Sequence, residues 1–169
     1  MGSYPFEKEI AATAAKHGLD PCLVAAVCYV ESSFMPDALR YEGKFQDRYI
    51  DPHPNYCFLP DNLRCLLASS LGLMQVMGLT ASELGLSLHH LEDLFEPEVG
   101  LEYGCRYLAE KIKRYKTTTG FIVNLEPAIA AYNSGTPRKG PKGNWVNFKY
   151  VLKVMKKYQE YQRAVTGRT

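Results

Sequence analysis

The chain has 169 residues, of which 46% are hydrophobic and 22% are charged, an ordinary composition for one globular domain with its own core. No apolar run is long enough to span a membrane, and the first residues lack the basic-then-apolar pattern of a signal peptide. The formal net charge of +2 combines an acidic part, residues 1–105 with 6 Lys and Arg against 15 Asp and Glu, and a basic part, residues 106–169 with 14 against 3.

The N-terminal part predicts two helices. Residues 4–17 form the first, with Gly18 as its C-cap. Asp20-Pro21 is typical of a helix start, because Asp accepts unpaired backbone N–H groups and Pro has a suitable φ at the first position. Residues 22–30 are apolar on every side, which indicates a buried helix, and Met35-Pro36 is expected to end it.

Glu31 lies at the end of this apolar helix, in Val30-Glu31-Ser32-Ser33-Phe34. The negative end of the helix dipole and the apolar surroundings both favour the neutral form of its carboxyl group. A carboxylic acid in such a place is suited to donate a proton, so Glu31 is a candidate general acid. A glutamate at a helix C-terminus is also common as an ordinary surface residue.

Residues 37–60 interrupt any periodicity with Gly, Pro, Asp and Asn, while supplying aromatic side chains. We expect a long irregular loop or a short hairpin, and loops of this length often form a lid or a binding wall. The next segments predict short helices at residues 61–70 and from residue 80. Between them Gln75 is one amide among Leu, Met and Val, and it either satisfies backbone groups or binds a polar substrate.

The C-terminal part predicts three further helices: residues 96–116, residues 126–132, and about residues 147–165. The first of these is amphipathic, and Gly100 and Gly104 leave room on it for a close neighbour. The second ends at Asn133-Ser134-Gly135. Because the chain has no repeats and no linker, we expect one mostly helical domain over residues 1–169, with its core at about 8–160.

Metal and disulfide chemistry is weakly supported. Five cysteines lack CxxC spacing, and Cys22 and Cys28 are six residues apart on one helix, so they face different directions. Cys57 and Cys65 could pair across a loop, but reduced thiols are the default. The four histidines show no ligand spacing. We predict no metal and no cofactor.

Four stretches together resemble the soluble lytic transglycosylase (SLT) family, whose fold is lysozyme-like. Glu31–Ala38 resembles its first motif, Glu-Ser-x-Phe-x-Pro-x-Ala, and Gly72–Met77 and Ala130–Gly135 resemble the second and third. Tyr150-Val151 resembles a Tyr-Val pair on the last helix. The resemblance implies a mainly α, single lysozyme-like domain of the goose-type lysozyme and SLT kind.

The resemblance also implies a reaction. Glu31 would protonate the oxygen of the β-1,4 bond between N-acetylmuramic acid and N-acetylglucosamine, and its carboxylate would then deprotonate the muramic C6 hydroxyl. That hydroxyl closes on C1 and gives a 1,6-anhydro product. The substrate's N-acetyl group would stabilise the intermediate, so a second protein carboxylate is not needed, unlike in most glycosidases.

The same resemblance assigns the remaining site residues. Gln75 and Asn133 would hydrogen-bond sugar amides, and Tyr132 would orient Glu31 or the acetamido group. Met77 and Ser32 would line the cleft. The implied partner is the peptidoglycan glycan strand, with no nucleic acid, no membrane insertion and a monomeric chain.

Two departures from the family pattern concern Arg40-Tyr41-Glu42, where many members have Ser, and the long connection before Gly72. The connection resembles a bacteriophage and prophage subgroup, so we expect a protein made in the cytoplasm that acts on the cell wall in lysis or within a virion. Glu42, or less readily Asp47 or Asp51, could position a water and give a hydrolytic muramidase. Glu42 could instead pair with Arg40 or another Arg and only shape the cleft.

Two other classes remain open. The chain could be a non-catalytic cell-wall-binding or tail-structural module that keeps the fold. The basic C-terminal part is either a solvated face or a surface for an anionic envelope or a nucleic acid. Nucleic-acid binding is the most remote reading, because no helix clusters base-reading residues.

Overall fold

The computed structural model describes residues 4–119 and 122–167. Its helices are α1 Glu7–Lys16, α2 Pro21–Ser32, α3 Gly43–Phe45, α4 Asp61–Leu67, α5 Gly78–Glu83, α6 Pro97–Tyr115, α7 Glu126–Ser134 and α8 Phe148–Thr166. A π-helical stretch, Gln46–Ile50, follows α3, and a 3₁₀ stretch, Leu88–Phe95, precedes α6. The strands are β1 Leu39–Tyr41, β2 Ser69–Leu71, β3 Val76–Met77, β4 Thr117–Thr119 and β5 Ile122–Asn124.

Contacts between residues in space divide the chain into two compact units. The first unit contains Met1–Val30 and Cys105–Thr169, and the second contains Glu31–Gly104. The chain passes from the first unit to the second within α2 and returns within α6. The mainly helical class predicted from the sequence is confirmed, whereas a single domain over residues 1–169 stays a prediction.

The start of the first unit follows the local signals of the sequence. Gly18 adopts a φ of 64° and ends α1, since a left-handed residue after a helix satisfies its last carbonyls and glycine adopts it readily. Asp20 caps α2 as predicted, because its Oδ1 accepts the backbone N–H of Cys22 at 2.8 Å. Residues 22–28 are then buried throughout.

The rest of the first unit is built on the C-terminal helices. α7 packs against α8, and residues 127–132 of α7 are buried together with Val151 and Val154 of α8. Tyr158 of α8 donates its hydroxyl to Asp20 Oδ2 at 2.7 Å, which ties this helix to the N-cap of α2. β4 and β5 form a separate antiparallel pair.

The second unit contains a small antiparallel sheet in the order β1-β2-β3. Leu39 pairs with Leu71 in the first ladder, and Leu71 pairs with Val76 in the second. Residues 61–70 are not one helix as predicted, because α4 ends at Leu67 and residues 69–71 enter the sheet. Strand pairing with distant partners overrides the local helical preference there.

The segment after β1 is more regular than the predicted irregular loop. α3 and the π-helical stretch occupy residues 43–50. A chain of side-chain hydrogen bonds supports them: Tyr41 donates to Gln46, Gln46 donates to Asp51 at 3.2 Å, and Arg64 donates to Asp51 at 2.8 Å. Side-chain hydrogen bonds, rather than periodic apolar contacts, therefore hold this segment. Such bonds leave no periodic pattern in the sequence, so the prediction missed its regular structure.

The length and hydropathy of the helices bear on membrane crossing. Within residues 4–119 and 122–167, no helix is both long enough and apolar enough to pass through a bilayer.

Candidate active site

Glu31 is the penultimate residue of α2, and its side chain is neither fully buried nor fully exposed. The next residue, Ser32, is buried, with 5% of its surface exposed. Its hydroxyl donates to the backbone carbonyl of Leu73 at 2.7 Å. The end of α2 is therefore fixed to the turn that carries Gln75, although 41 residues separate the two hydrogen-bonded partners.

Ser32 thus has a structural partner at the position where the resemblance assigns a cleft-lining role. A buried hydroxyl hydrogen-bonded to a carbonyl stabilises the junction between α2 and the turn. The cleft-lining role of Ser32 itself stays a prediction.

Backbone strain is concentrated around these residues. Among the described non-glycine residues, Phe6, Ser33, Phe34 and Gln75 have positive φ, and the last three lie beside Glu31 or in the Gln75 turn. Ser33 and Phe34, with φ of 53° and 63°, end α2 before Met35-Pro36 is reached. A left-handed non-glycine residue costs about 1–2 kcal/mol, and such residues concentrate at functional sites.

Gln75 is held by two backbone carbonyls. Its Nε2 donates to Ala38 O at 2.9 Å and to Gly72 O at 3.1 Å. Of the two alternatives for Gln75, hydrogen bonding to backbone groups is present in the structure. Because both donor bonds fix the side-chain amide, its Oε1 has a set direction, and no described residue donates a hydrogen bond to that oxygen. The substrate-binding role of Gln75 stays a prediction.

The turn that carries Gln75 requires a glycine at position 72. Its φ is 74°, and a Cβ at this position would overlap the carbonyl oxygen of Leu94. Its backbone N–H donates to Ala38 O at 2.9 Å, the same oxygen that Gln75 binds. The turn is therefore held on one side by Ala38 and on the other by close packing against Leu94.

Met77 lies in β3, next to Gly78, and its side chain is partly exposed. Its backbone pairs with Ser70 of β2, which sets Met77 on a short ladder rather than in a free loop. A Cβ on Gly78 would overlap the Leu66 carbonyl, so the chain after Met77 is closely packed. A contact between Met77 and a sugar stays a prediction.

Glu42 forms an ion pair with Arg40. Arg40 Nε and Glu42 Oε1 are 2.8 Å apart, and 40% of the Glu42 side chain is exposed. Of the alternatives for Glu42, pairing with Arg40 is therefore the one present in the structure. An ion pair of this exposure adds little stability.

Tyr132 and Asn133 belong to α7 in the first unit. Tyr132 is 6% exposed, and its ring centroid lies 5.2 Å from that of Tyr107. Asn133 is exposed, and its Oδ1 accepts a hydrogen bond from Asn147 Nδ2 at 2.9 Å. Asn147 Nδ2 also donates to Ala130 O at 3.0 Å, so the Asn133 amide has a fixed orientation.

Comparison with known proteins identifies the family. The family described as the Transglycosylase SLT domain matches residues 8–156. The chain belongs to the Transglycosylase SLT domain family. The match covers all of the second unit, most of the first and all seven candidate residues. Glu31, Ser32, Glu42, Gln75 and Met77 are in the second unit, and Tyr132 and Asn133 are in the first.

One curated relative is the membrane-bound lytic murein transglycosylase F of Desulfosudis oleivorans, which is 27% identical over 173 aligned residues. The alignment covers 96% of this chain and 31% of the relative, so the chain spans about a third of that protein's length. A solved structure, an inactive mutant of the lytic transglycosylase Slt of Pseudomonas aeruginosa, matches with a TM-score of 0.61 at 20% identity. This match covers 96% of this chain and 24% of the other, and it confirms the predicted lysozyme-like fold.

Two SLT-domain residues in this chain were not singled out from the sequence. Asn147 orients Asn133, but its position before α8 indicated only a helix start. Lys111 donates to Gly135 O at 3.1 Å at the end of α7, and its ammonium lies 4.4 Å from the centroid of the Tyr107 ring. The spacing of Tyr107 and Lys111, one helical turn apart, is the signal that could have paired them.

No metal site accompanies this arrangement within the residues that the structure describes, because no three His, Cys, Asp or Glu side chains cluster there. The second unit offers a carboxyl group at a helix end with the fixed Gln75 amide and Ser32 hydroxyl. The first unit offers the fixed Asn133 amide and the Tyr107–Tyr132 ring pair. Such groups can transfer a proton and hydrogen-bond a neutral polar substrate.

Proposed function

We propose that this chain is a peptidoglycan lytic transglycosylase domain with Glu31 as its general acid and base. The observation that carries the proposal is the position of Glu31 at the end of a buried helix, beside the Ser32–Leu73 hydrogen bond. Family membership supports the reaction class. The solved relative is inactive as a glutamate-to-glutamine mutant, which supports an essential glutamate in such proteins.

The proposed reaction has two proton transfers, both through Glu31. Glu31 donates a proton to the oxygen of the β-1,4 bond between N-acetylmuramic acid and N-acetylglucosamine, and the C1–O bond breaks. The substrate's N-acetyl carbonyl oxygen stabilises the positive charge at C1. The Glu31 carboxylate then takes the proton of the muramic C6 hydroxyl as that oxygen bonds to C1. The product is a 1,6-anhydro sugar, water is not consumed, and the enzyme regains its proton.

The neighbouring residues would bind the glycan. Gln75 would accept a hydrogen bond from a sugar N–H or hydroxyl through Oε1, since its Nε2 already bonds Ala38 and Gly72. Asn133 would donate through its own amide nitrogen, because Asn147 occupies its Oδ1. Tyr132 would orient Glu31 or the acetamido group.

The remaining predicted contacts concern the walls of the cleft and Glu42. Met77 and Ser32 would line the cleft. Glu42 would shape it through its pair with Arg40, which supports the transglycosylase over the hydrolytic muramidase. A carboxylate that activates water must accept the water's proton, and in Glu42 the Arg40 pair already engages Oε1.

The proposed partner is the glycan strand of peptidoglycan, bound by a monomer that forms one domain over residues 1–169. We also propose the bacteriophage and prophage subgroup, with a role in lysis or within a virion. The length and aromatic content of the segment between Glu31 and Gly72, which resembles that subgroup in sequence, support the proposal.

The decisive experiment follows loss of turbidity of purified cell walls with Glu31→Gln. We expect activity to fall by about 10²–10⁴-fold, because the proton donor is lost while shape is kept. Glu83→Gln, at an exposed glutamate in α5, is the matched control and retains activity. A co-sedimentation assay with cell walls follows binding separately.

The products distinguish the alternatives. Mass spectrometry of released muropeptides is expected to give the anhydro sugar, which lacks one water relative to the reducing-end sugar. A reducing-end product that requires Glu42 would establish the muramidase instead. Binding of cell walls with no loss of turbidity for the wild-type chain would leave only a wall-binding module, and equal activity of Glu31→Gln and the wild-type chain would show that Glu31 is not the general acid.

A further inference from the structure

The outer face of α8 carries apolar and basic side chains together. Phe148 and Leu152 lie one helical turn apart and are 43% and 54% exposed. Lys149, Lys153 and Lys156 are exposed on the same side of the helix. Val151 and Val154, on the opposite side, are 2% and 0% exposed, so the inward face of α8 is already occupied by the core.

The apolar pair extends beyond the helix. Val146, just before α8, is 64% exposed. We call Val146, Phe148, Leu152 and the three lysines the α8 face. Three large apolar side chains in seven residues of sequence are an unusual concentration for a surface that faces only water.

The charge of this region has one sign. From residue 127 to residue 159 the sequence contains seven Lys and Arg and no Asp or Glu. Lys157, on another side of α8, is paired with Glu160 and lies 4.2 Å from the centroid of the Tyr29 ring. The nearby acid Glu160 is engaged mainly with Lys157, and the charge of Lys156 also helps to lower the Glu160 pKa. The charges of Lys149 and Lys153, with that of Lys156 in part, are left to attract an anionic partner.

We infer that the α8 face adsorbs to an anionic phospholipid surface, with the helix axis lying along the membrane plane. The lysines match phosphate-bearing headgroups, and near such a surface each contributes roughly a fivefold gain in affinity. The apolar side chains select a lipid layer over a soluble polyanion, because only a lipid layer offers them an apolar environment. Long lysine side chains beside them reach the headgroups while their stems stay in the apolar zone.

The adsorption goes beyond the proposed cleavage of peptidoglycan and does not depend on it. Glu31 and the other candidate residues are not part of the α8 face. A binding measurement with vesicles has no catalytic readout, so its failure and the failure of the proposed reaction are distinguishable.

The experiment measures co-sedimentation of the full chain with vesicles of phosphatidylcholine alone and with vesicles containing about one-third phosphatidylglycerol. We expect binding only to the anionic vesicles. Lys149→Ser/Lys153→Ser/Lys156→Ser should lower that binding by about a hundredfold. Phe148→Ser/Leu152→Ser, which changes no charge, should lower it by about tenfold.

Two controls make the result specific. Lys113→Ser/Arg114→Ser/Lys116→Ser removes the same net charge from exposed positions at the end of α6 and just after it, and should lower vesicle binding far less. Soluble polyglutamate should bind the Phe148→Ser/Leu152→Ser variant as tightly as the wild-type chain. Circular dichroism checks that the helical content of each variant is unchanged.

Three results would overturn the inference. One is a wild-type chain that does not bind anionic vesicles. Another is equal vesicle binding by Phe148→Ser/Leu152→Ser and the wild-type chain, which would indicate a purely electrostatic, polyanion-like contact. The last is an equal loss with the α6 triple variant, which would indicate attraction by net charge rather than by the α8 face.

Discussion

The hydroxyl of Ser32 donates a hydrogen bond to the backbone carbonyl of Leu73 at 2.7 Å, and both groups lie in the second unit. Ser32 follows Glu31 directly, and Leu73 is two residues before Gln75. The bond therefore sets the distance between the candidate proton donor and a candidate sugar-binding amide. Ser32, which the family resemblance places in the substrate cleft, is therefore hydrogen-bonded within the protein.

Ser32→Ala should destabilise the protein and lower activity. Without the hydroxyl, the Leu73 carbonyl loses its donor in a buried place, which costs about 1–3 kcal/mol. For a chain of this size each kcal/mol lowers Tm by roughly 2–4 °C. Activity should fall by at least about tenfold, since the end of α2 is no longer held. Ser33→Ala, at the exposed neighbouring serine, is the matched control, and an equal Tm for both variants would contradict the role of the bond.

Gln75→Glu should destabilise the second unit in a pH-dependent way. The substituted carboxylate would face the Ala38 and Gly72 carbonyl oxygens, which favour a proton donor and so raise the pKa of the introduced carboxyl group. A raised pKa in the folded state means that stability is kept at low pH and lost as pH rises.

Urea unfolding of Gln75→Glu at pH 4 and pH 7 measures this effect, with Gln75→Met as the variant that cannot ionise. Relative to wild type, the free energy of unfolding of Gln75→Glu should be lowered more at pH 7 than at pH 4. For Gln75→Met the loss should be equal at both pH values. A loss of unfolding free energy in Gln75→Glu that does not change with pH would indicate that the two carbonyls do not shift the pKa of the introduced carboxyl group.

Gly72→Ala should be severely destabilising, by about 3 kcal/mol or more. The φ of 74° costs about 1–2 kcal/mol for a residue with a Cβ, and the overlap with the Leu94 carbonyl adds to it. Gly18→Ala is the matched control, because its φ is 64° and no atom lies within 4 Å of its Cβ position. Denaturant unfolding should give a clearly larger loss at Gly72, and similar losses would mean that the contact with Leu94 relaxes freely.

Tyr158→Phe should destabilise the first unit and change its alkaline unfolding. The wild-type hydroxyl bonds Asp20 at 2.7 Å, and a bond to a carboxylate contributes about 1.5–3 kcal/mol. Burial, together with that bond, raises the pKa of Tyr158 above its ordinary value. Because the folded value is raised, this stability is complete below the unfolded tyrosine pKa of about 10 and is lost as pH rises further.

Thermal unfolding of Tyr158→Phe between about pH 7 and pH 11 tests both statements. The Tm of the variant should be lower than that of the wild-type chain at neutral pH. Above about pH 10 it should decline less steeply with pH. Tyr161→Phe is the comparison variant for a buried tyrosine on the same helix. Burial raises the pKa of Tyr161 to about 12, and its ring centroid lies 5.0 Å from that of Tyr4. Equal stability of Tyr158→Phe and wild type at neutral pH would show that the Asp20 bond contributes nothing.

The sequence by itself determined the local features of this protein. Asp20 as the cap of α2, the left-handed Gly18 and the buried residues 22–28 were all predicted, because each depends on neighbouring residues and the geometry of one helix turn. The predicted burial was wrong for Tyr29, which is 42% exposed. The long helices α6 and α8 followed from apolar periodicity for the same reason. The family motifs were readable as well, since their residues are contiguous.

Only the tertiary structure decided what those residues bind. The hold of Ala38 on Gln75 and the bond from Ser32 to Leu73 depend on where a short sheet and a distant turn bring the chain. The left-handed Ser33 and Phe34 are likewise unfavourable locally and persist because surrounding contacts hold them. Local propensity determines where helices such as α2 begin, whereas long-range hydrogen bonds and close packing determine where α2 and α4 end and which partner each polar side chain finds.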